Sequence, residues 1–134
     1  MAEPDAGTGI LLFAHGSSVE EANGGVRELA RQVQQTGNLP YVRAAFLEIG
    51  RPDLTAAVDE AVQAGFQRIL VIPFFLTVGI HLRRDLPDLL ARQKQRFPGL
   101  EIHVGESLEG HPSMPALILD RIRAAEEESS KAPR

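Results

Sequence analysis

Strand-like and helix-like segments alternate four times along this chain. That alternation predicts an α/β fold in the order β-α-β-α-β-α-β-α: a four-stranded parallel sheet flanked by helices on both faces. Two further observations support it. Short apolar runs rich in β-branched residues, such as Ile69-Leu70-Val71-Ile72, suit strands buried on both faces. The chain of 134 residues, 43% apolar, is the size of one domain with a single core.

The first strand is Ile10 to Ala14, and it stops at the turn His15-Gly16-Ser17-Ser18, where glycine lets backbone approach a ligand. A helix from about Glu20 to Gln35 follows, with Val26, Leu29, Ala30 and Val33 at helical spacing and Gly37 closing it. The pair Gly24-Gly25 weakens it locally. Tyr41 to Leu47 is the second strand, ending at Glu48 and Gly50. Pro52-Asp53 opens a helix with Leu54, Ala57, Val58, Ala61 and Val62 on one face and Gly65 as its stop.

The third strand, Ile69 to Ile72, ends at Pro73, which cannot donate to a ladder. A loop through Phe74-Phe75-Leu76, Gly79 and His81 leads to a helix expected to start at Asp85-Leu86-Pro87, by carboxylate capping and proline in the first turn. Pro98-Gly99 ends that helix. Leu100 to Val104 is a fourth strand whose alternation suits a sheet edge with one wet side. The last helix runs from about Ser113 to Ala125, with Leu117, Ile118 and Ile122 expected inward. Residues 1–8 read as a flexible leader, 9–125 as the domain and 126–134 as a flexible tail.

Composition excludes several classes. A formal net charge of −4 argues against a general nucleic-acid binder. The absence of cysteine removes disulfides, thiolate chemistry and Cys-ligated zinc, and favours a cytoplasmic location. No apolar run approaches the ~20 residues of a membrane helix, and the N-terminus lacks the regions of a signal peptide.

In such a sheet His15, Glu48 and His81 follow the first three strands and lie on the rim of their carboxyl ends, where open α/β sheets bind ligands. Two imidazoles and a carboxylate suit a divalent transition metal, and imidazole also accepts protons near neutral pH. The blander readings are a turn histidine at 15 and a solvated carboxylate at 48. His103 reads as a surface residue, and His111 as one that shapes the start of the last helix. Phe46, Phe74, Phe75 and Leu76 offer apolar walls. Arg51, Arg83 and Arg84 lie at the same end, where arginine forks suit carboxylates, although each alone reads more simply as a solvated charge. The set suits a flat, apolar, polycarboxylated ligand.

Three motifs in order resemble the class II tetrapyrrole chelatases, specifically the small CbiX/SirB-type sirohydrochlorin chelatases. They are Ala14-His15-Gly16-Ser17, Ala45-Phe46-Leu47-Glu48 with Pro52, and Pro73-Phe74-Phe75-Leu76 with Gly79-Ile80-His81 and Asp85-Leu86-Pro87. The resemblance runs from about Gly9 to Arg123. It implies a single chelatase-like lobe that pairs as a homodimer and inserts a divalent metal into sirohydrochlorin. Co²⁺ stands first, with Fe²⁺ or Ni²⁺ as alternatives, and no organic cofactor is implied. By the same resemblance His15 and His81 bind metal and accept ring protons, and Glu48 lies beside them. Arg51, Arg83, Arg84 and Phe75 would contact the macrocycle.

The chain departs from the family pattern in two places. Ser18-Val19-Glu20-Glu21 is acidic where the family often carries a basic residue, and Val78 and Ile80 make the loop before His81 bulky. Phosphoryl transfer through His15 is disfavoured, because histidine phosphatases place arginine where this chain has Ala14. A flavodoxin-like nucleotide module lacks its phosphate loop here. A non-catalytic metal or tetrapyrrole carrier stays open.

Overall fold

A computed structural model describes residues 7–131, apart from the side chain of His81. Its elements are β1 (Thr8–Gly16), α1 (Glu20–Thr36), β2 (Val42–Ile49), α2 (Leu54–Gln63), β3 (Arg68–Pro73), α3 (Ile80–Arg96), β4 (Glu101–Val104) and α4 (Met114–Lys131). The strands form one parallel sheet in the order β2-β1-β3-β4, as the alternation predicts. Thr8 of the expected leader already belongs to β1, while residues 1–6 and 132–134 lie outside the described residues.

The core divides between the two faces of the sheet, because successive strand residues point to opposite sides. On one face Leu11, Phe13, Ala45, Ile69, Val71 and Ile102 pack against Leu54, Ala57 and Val58 of α2 and Leu86 of α3. Fully burying one such side chain stabilises the fold by about 1.5–3 kcal/mol. On the other face α1 covers β2 and β1, with Ala30 against Ile10 and Val42, and Val26 against Ala14, Ala44 and Phe46.

Local signals hold at α2, where the Asp53 side chain accepts from the Ala56 N–H at 2.8 Å as an N-cap. They fail at α3. That helix starts at Ile80 behind an extended Gly79, whose carbonyl accepts from the Arg83 N–H at 3.1 Å, and Pro87 lies inside it. Proline removes one helical donor, which is why sequence reasoning placed it in the first turn. Leu82, Leu86, Leu89 and Leu90 instead form a continuous apolar face on the core, and that packing carries the helix back to Ile80. His81, Arg83 and Arg84 are therefore helical residues and not loop residues.

The last helix also differs. It continues to Lys131, so residues 126–131 of the expected tail are helical. Leu117, Ile118 and Ile122, expected inward, are 57%, 56% and 51% exposed, and α4 buries no residue. The physical reason is that α4 does not return onto its own sheet.

Candidate functional site

β1 and β2 end side by side, and their register shifts at the end. Ala14 pairs with Phe46, but Gly16 pairs with Ile49, so β2 carries one extra residue there. The shift sets His15, inside β1, against Glu48, inside β2. His15 Nε2 and Glu48 Oε2 stand 3.9 Å apart, beyond hydrogen-bond reach, and both side chains are well exposed. Two ligands at about 2.1 Å from one ion are at most about 4.2 Å apart, and this pair falls inside that limit.

Two glycines make the approach possible. Gly16 has φ +96°, and a Cβ there would fall 2.1 Å from the carbonyl oxygen of Ile49. Gly50 has φ +145°, and its Cβ would fall 2.8 Å from the Phe46 ring. Neither position accepts a side chain without moving backbone or core.

Asn23, on α1 and only 2% exposed, ties the two strand ends together. Its Oδ1 accepts from the Ser17 N–H at 2.9 Å, and its Nδ2 donates to the Ser17 carbonyl at 2.9 Å and the Ile49 carbonyl at 3.3 Å. The same amide donates to Glu20 at 3.4 Å. The Arg27 guanidinium bonded to Glu20 holds that carboxyl below the usual carboxylate range, and Asn23 adds to the effect. Sequence reasoning missed Asn23. Its only sequence signal is an amide in the first turns of a helix just after a Gly-Ser turn.

A cleft of about 570 Å³ opens beside the pair. Phe75 forms one wall, edge-on to His15 with ring centroids 6.5 Å apart, and is itself anchored edge-on to the buried Phe13 at 6.2 Å. The opposite wall is α3, through Leu82, Asp85, Asp88 and Arg92. His81 occupies the first turn of α3, and its neighbours Gly79 and Leu82 both line this cleft. Asp85 is thus a wall residue and not a cap.

The arginines separate. Arg51 shares a second, shallow cleft with Glu48 on the outer side of β2. Arg83 points to the far side of α3, where it pairs with Glu109 at 3.1 Å, and Arg84 lines neither cleft beside α3. Arg92, not anticipated from sequence, faces the His15 cleft and makes no ion pair among the described residues. Its signal was helical spacing: residues 85, 88 and 92 share one helix face.

His103 is exposed on β4, and His111 Nδ1 accepts from the Ser113 N–H at 3.0 Å, shaping the turn into α4. Among the described residues no group of three or more His, Asp or Glu side chains stands ready to hold a metal ion. Among the same residues, no helix is long and apolar enough to cross a membrane.

Comparison with known proteins agrees with this fold. Residues 9–125 match the family model described as CbiX. A sirohydrochlorin cobaltochelatase of Methanopyrus kandleri is 26% identical over 87% of this chain and 95% of its own length. The chloroplastic sirohydrochlorin ferrochelatase of Arabidopsis thaliana is 31% identical over 86% of this chain, which spans only 51% of that relative. A solved CbiX protein of Marinobacter aquaeolei VT8, described as of cobalamin biosynthesis, superposes with a TM-score of 0.80 at 28% identity, covering 90% of this chain and 98% of its own.

Proposed function

Since the chain belongs to the CbiX family, we propose that it is a sirohydrochlorin chelatase that inserts a divalent metal, Co²⁺ foremost and Fe²⁺ or Ni²⁺ as alternatives. The observation that carries this reading is the His15–Glu48 pair on an open cleft walled by Phe75. A flat macrocycle lies against the aromatic wall with its ring nitrogens towards the pair.

Insertion breaks no carbon skeleton bond. The entering M²⁺ replaces two ring N–H protons, so the site must hold a metal loosely and accept two protons. Imidazoles perform both tasks: His15 from β1 and His81 from the first turn of α3 present the ion and take the protons, and Glu48 supplies a compensating negative charge. Exposure of His15 and Glu48 leaves the ion exchangeable, as a metal in transit requires.

Peripheral carboxylates of the substrate meet Arg51 on the Glu48 side and Arg92 on the α3 side. Arg83 pairs with Glu109 and Arg84 lines neither cleft beside α3, so Arg51 and Arg92 are the better placed for this role. The protein works in the cytoplasm and pairs with a second copy of itself, because one lobe leaves the cleft open on one side.

An anaerobic absorbance assay tests the reading, with sirohydrochlorin and each of Co²⁺, Fe²⁺ and Ni²⁺. The expected result is insertion well above the metal-only background, fastest with Co²⁺ and lost in both His15→Ala and His81→Ala. A shifted spectrum of bound macrocycle with no accelerated insertion by any metal would replace the enzyme with a carrier.

A further inference from the structure

β2 is an edge strand, and its outer side is only partly closed. Alternation along the strand turns the N–H groups of Val42, Ala44 and Phe46 away from β1. The chain's own atoms take the first and the last. Val42 N–H donates to Gln34 Oε1 at 2.9 Å, and Phe46 N–H donates to the Pro52 carbonyl at 2.9 Å. The middle donor, Ala44 N–H, has no partner among the described residues, although Ala44 is only 5% exposed. A shielded backbone donor of this kind calls for an acceptor from outside, water or a ligand.

Ala44 lines a cleft of about 480 Å³ between α1 and the edge of β2, which shares no lining residue with the His15 cleft. Its described lining includes three arginines, Arg27, Arg31 and Arg43, and one carboxylate, Glu60. Arg43 is held in place by neutral partners alone. Its guanidinium donates to Gln34 Oε1 at 2.8 Å and to the Val42 carbonyl at 3.0 Å, and stands 4.3 Å from the centre of the Tyr41 ring. The Val42 carbonyl adjoins the Ala44 N–H along the edge, so this bond sets a cation beside the free donor. Arg27 and Arg31 pair with Glu20 and Glu28, exposed carboxylates that exchange partners readily.

A fixed cation, two exchangeable ones and a free backbone donor around one hollow suit an oxyanion. A further strand does not fit, because Gln34 and Pro52 already occupy the edge on both sides of Ala44. The net charge of −4 disfavours a nucleic-acid strand. We infer that this cleft binds a small molecule bearing a carboxylate or phosphate group, with one anionic oxygen on Ala44 N–H and another on Arg43. The site lies apart from the His15 cleft and does not depend on the function proposed for it.

The test is a titration of isotope-labelled protein followed by amide nuclear magnetic resonance. Inorganic phosphate and citrate are the probes, and chloride at matched ionic strength is the control. The expected result is a saturable shift of the Ala44 amide with one probe or both, while Gly16 and Gly79 beside the His15 cleft stay unmoved. Response to phosphate alone supports a phosphate ligand, and response to citrate alone supports a carboxylate. Arg43→Gln and Arg31→Gln, both at exposed positions, are each expected to weaken the binding about 10-fold. No saturable shift with either probe, an equal shift with chloride, or full binding by Arg43→Gln overturns the site. A shift of Ala44 with sirohydrochlorin but with neither small anion would make the cleft an extension of the His15 site and refute the inference.

Discussion

The β2–β1 half of the sheet and the β3–β4 half are closed to different degrees. In the first, helices cover both faces, and the rim is locked by Asn23, Gly16 and Gly50 into one arrangement of His15 and Glu48. In the second, α3 covers one face only, Leu70 and Ile72 are half-open on the other, and α4 stands free. The closed half holds chemical groups at fixed separation. The open half leaves apolar side chains of β3 and of α4 uncovered among the described residues.

The contrast can be tested directly by a pair of truncations. Leu11→Ala, in the doubly covered half, is expected to lower unfolding free energy by about 2–5 kcal/mol in urea titration. Ile118→Ala, measured where the protein is monomeric, is expected to change it by no more than about 0.5 kcal/mol. Equal losses would mean that α4 already has a partner within its own chain.

The rim lock sharpens the comparison at the site. Gly16→Ala drives a Cβ into the Ile49 carbonyl and must separate β1 from β2 where His15 meets Glu48. Displacement of about 1 Å is expected to lower insertion activity roughly 100-fold, with the far-ultraviolet circular dichroism retained. Asn23→Ala leaves backbone groups of Ser17 and Ile49 without their partner, at a cost of about 1–3 kcal/mol read by urea titration. Unchanged stability would show that Asn23 does not hold the rim.

The smallest effect lies in α1. A Cβ at Gly25 meets nothing within 4 Å, so Gly25→Ala is expected to raise stability by about 0.5–1 kcal/mol, seen as a higher thermal midpoint with the insertion rate unchanged. A loss instead would reveal a functional need for the glycine pair that the structure does not show.

Much of this architecture was legible because it is local. Strand apolar runs, the Asp53 cap and the positions of His15 and Glu48 follow from patterns a few residues long, and the parallel order follows from the alternation. His15 and Glu48 could be placed on one rim because parallel strands end together. The start of α3 was misplaced because proline at position 87 is a strong local stop, whereas the leucine face that overrides it acts only once the sheet is present.

The sequence by itself determined the fold class, the single lobe and the pair of groups at the first two strand ends, all consequences of period and order along the chain. Only the tertiary structure decided that Asn23 binds the rim, that Arg92 faces the cleft while Arg83 turns to Glu109, and that α4 stays off its own sheet. An amide between two strand ends, a guanidinium on one side of a helix or the other, and a helix on or off a sheet all have the same local sequence. What separates them is which distant surface is within reach.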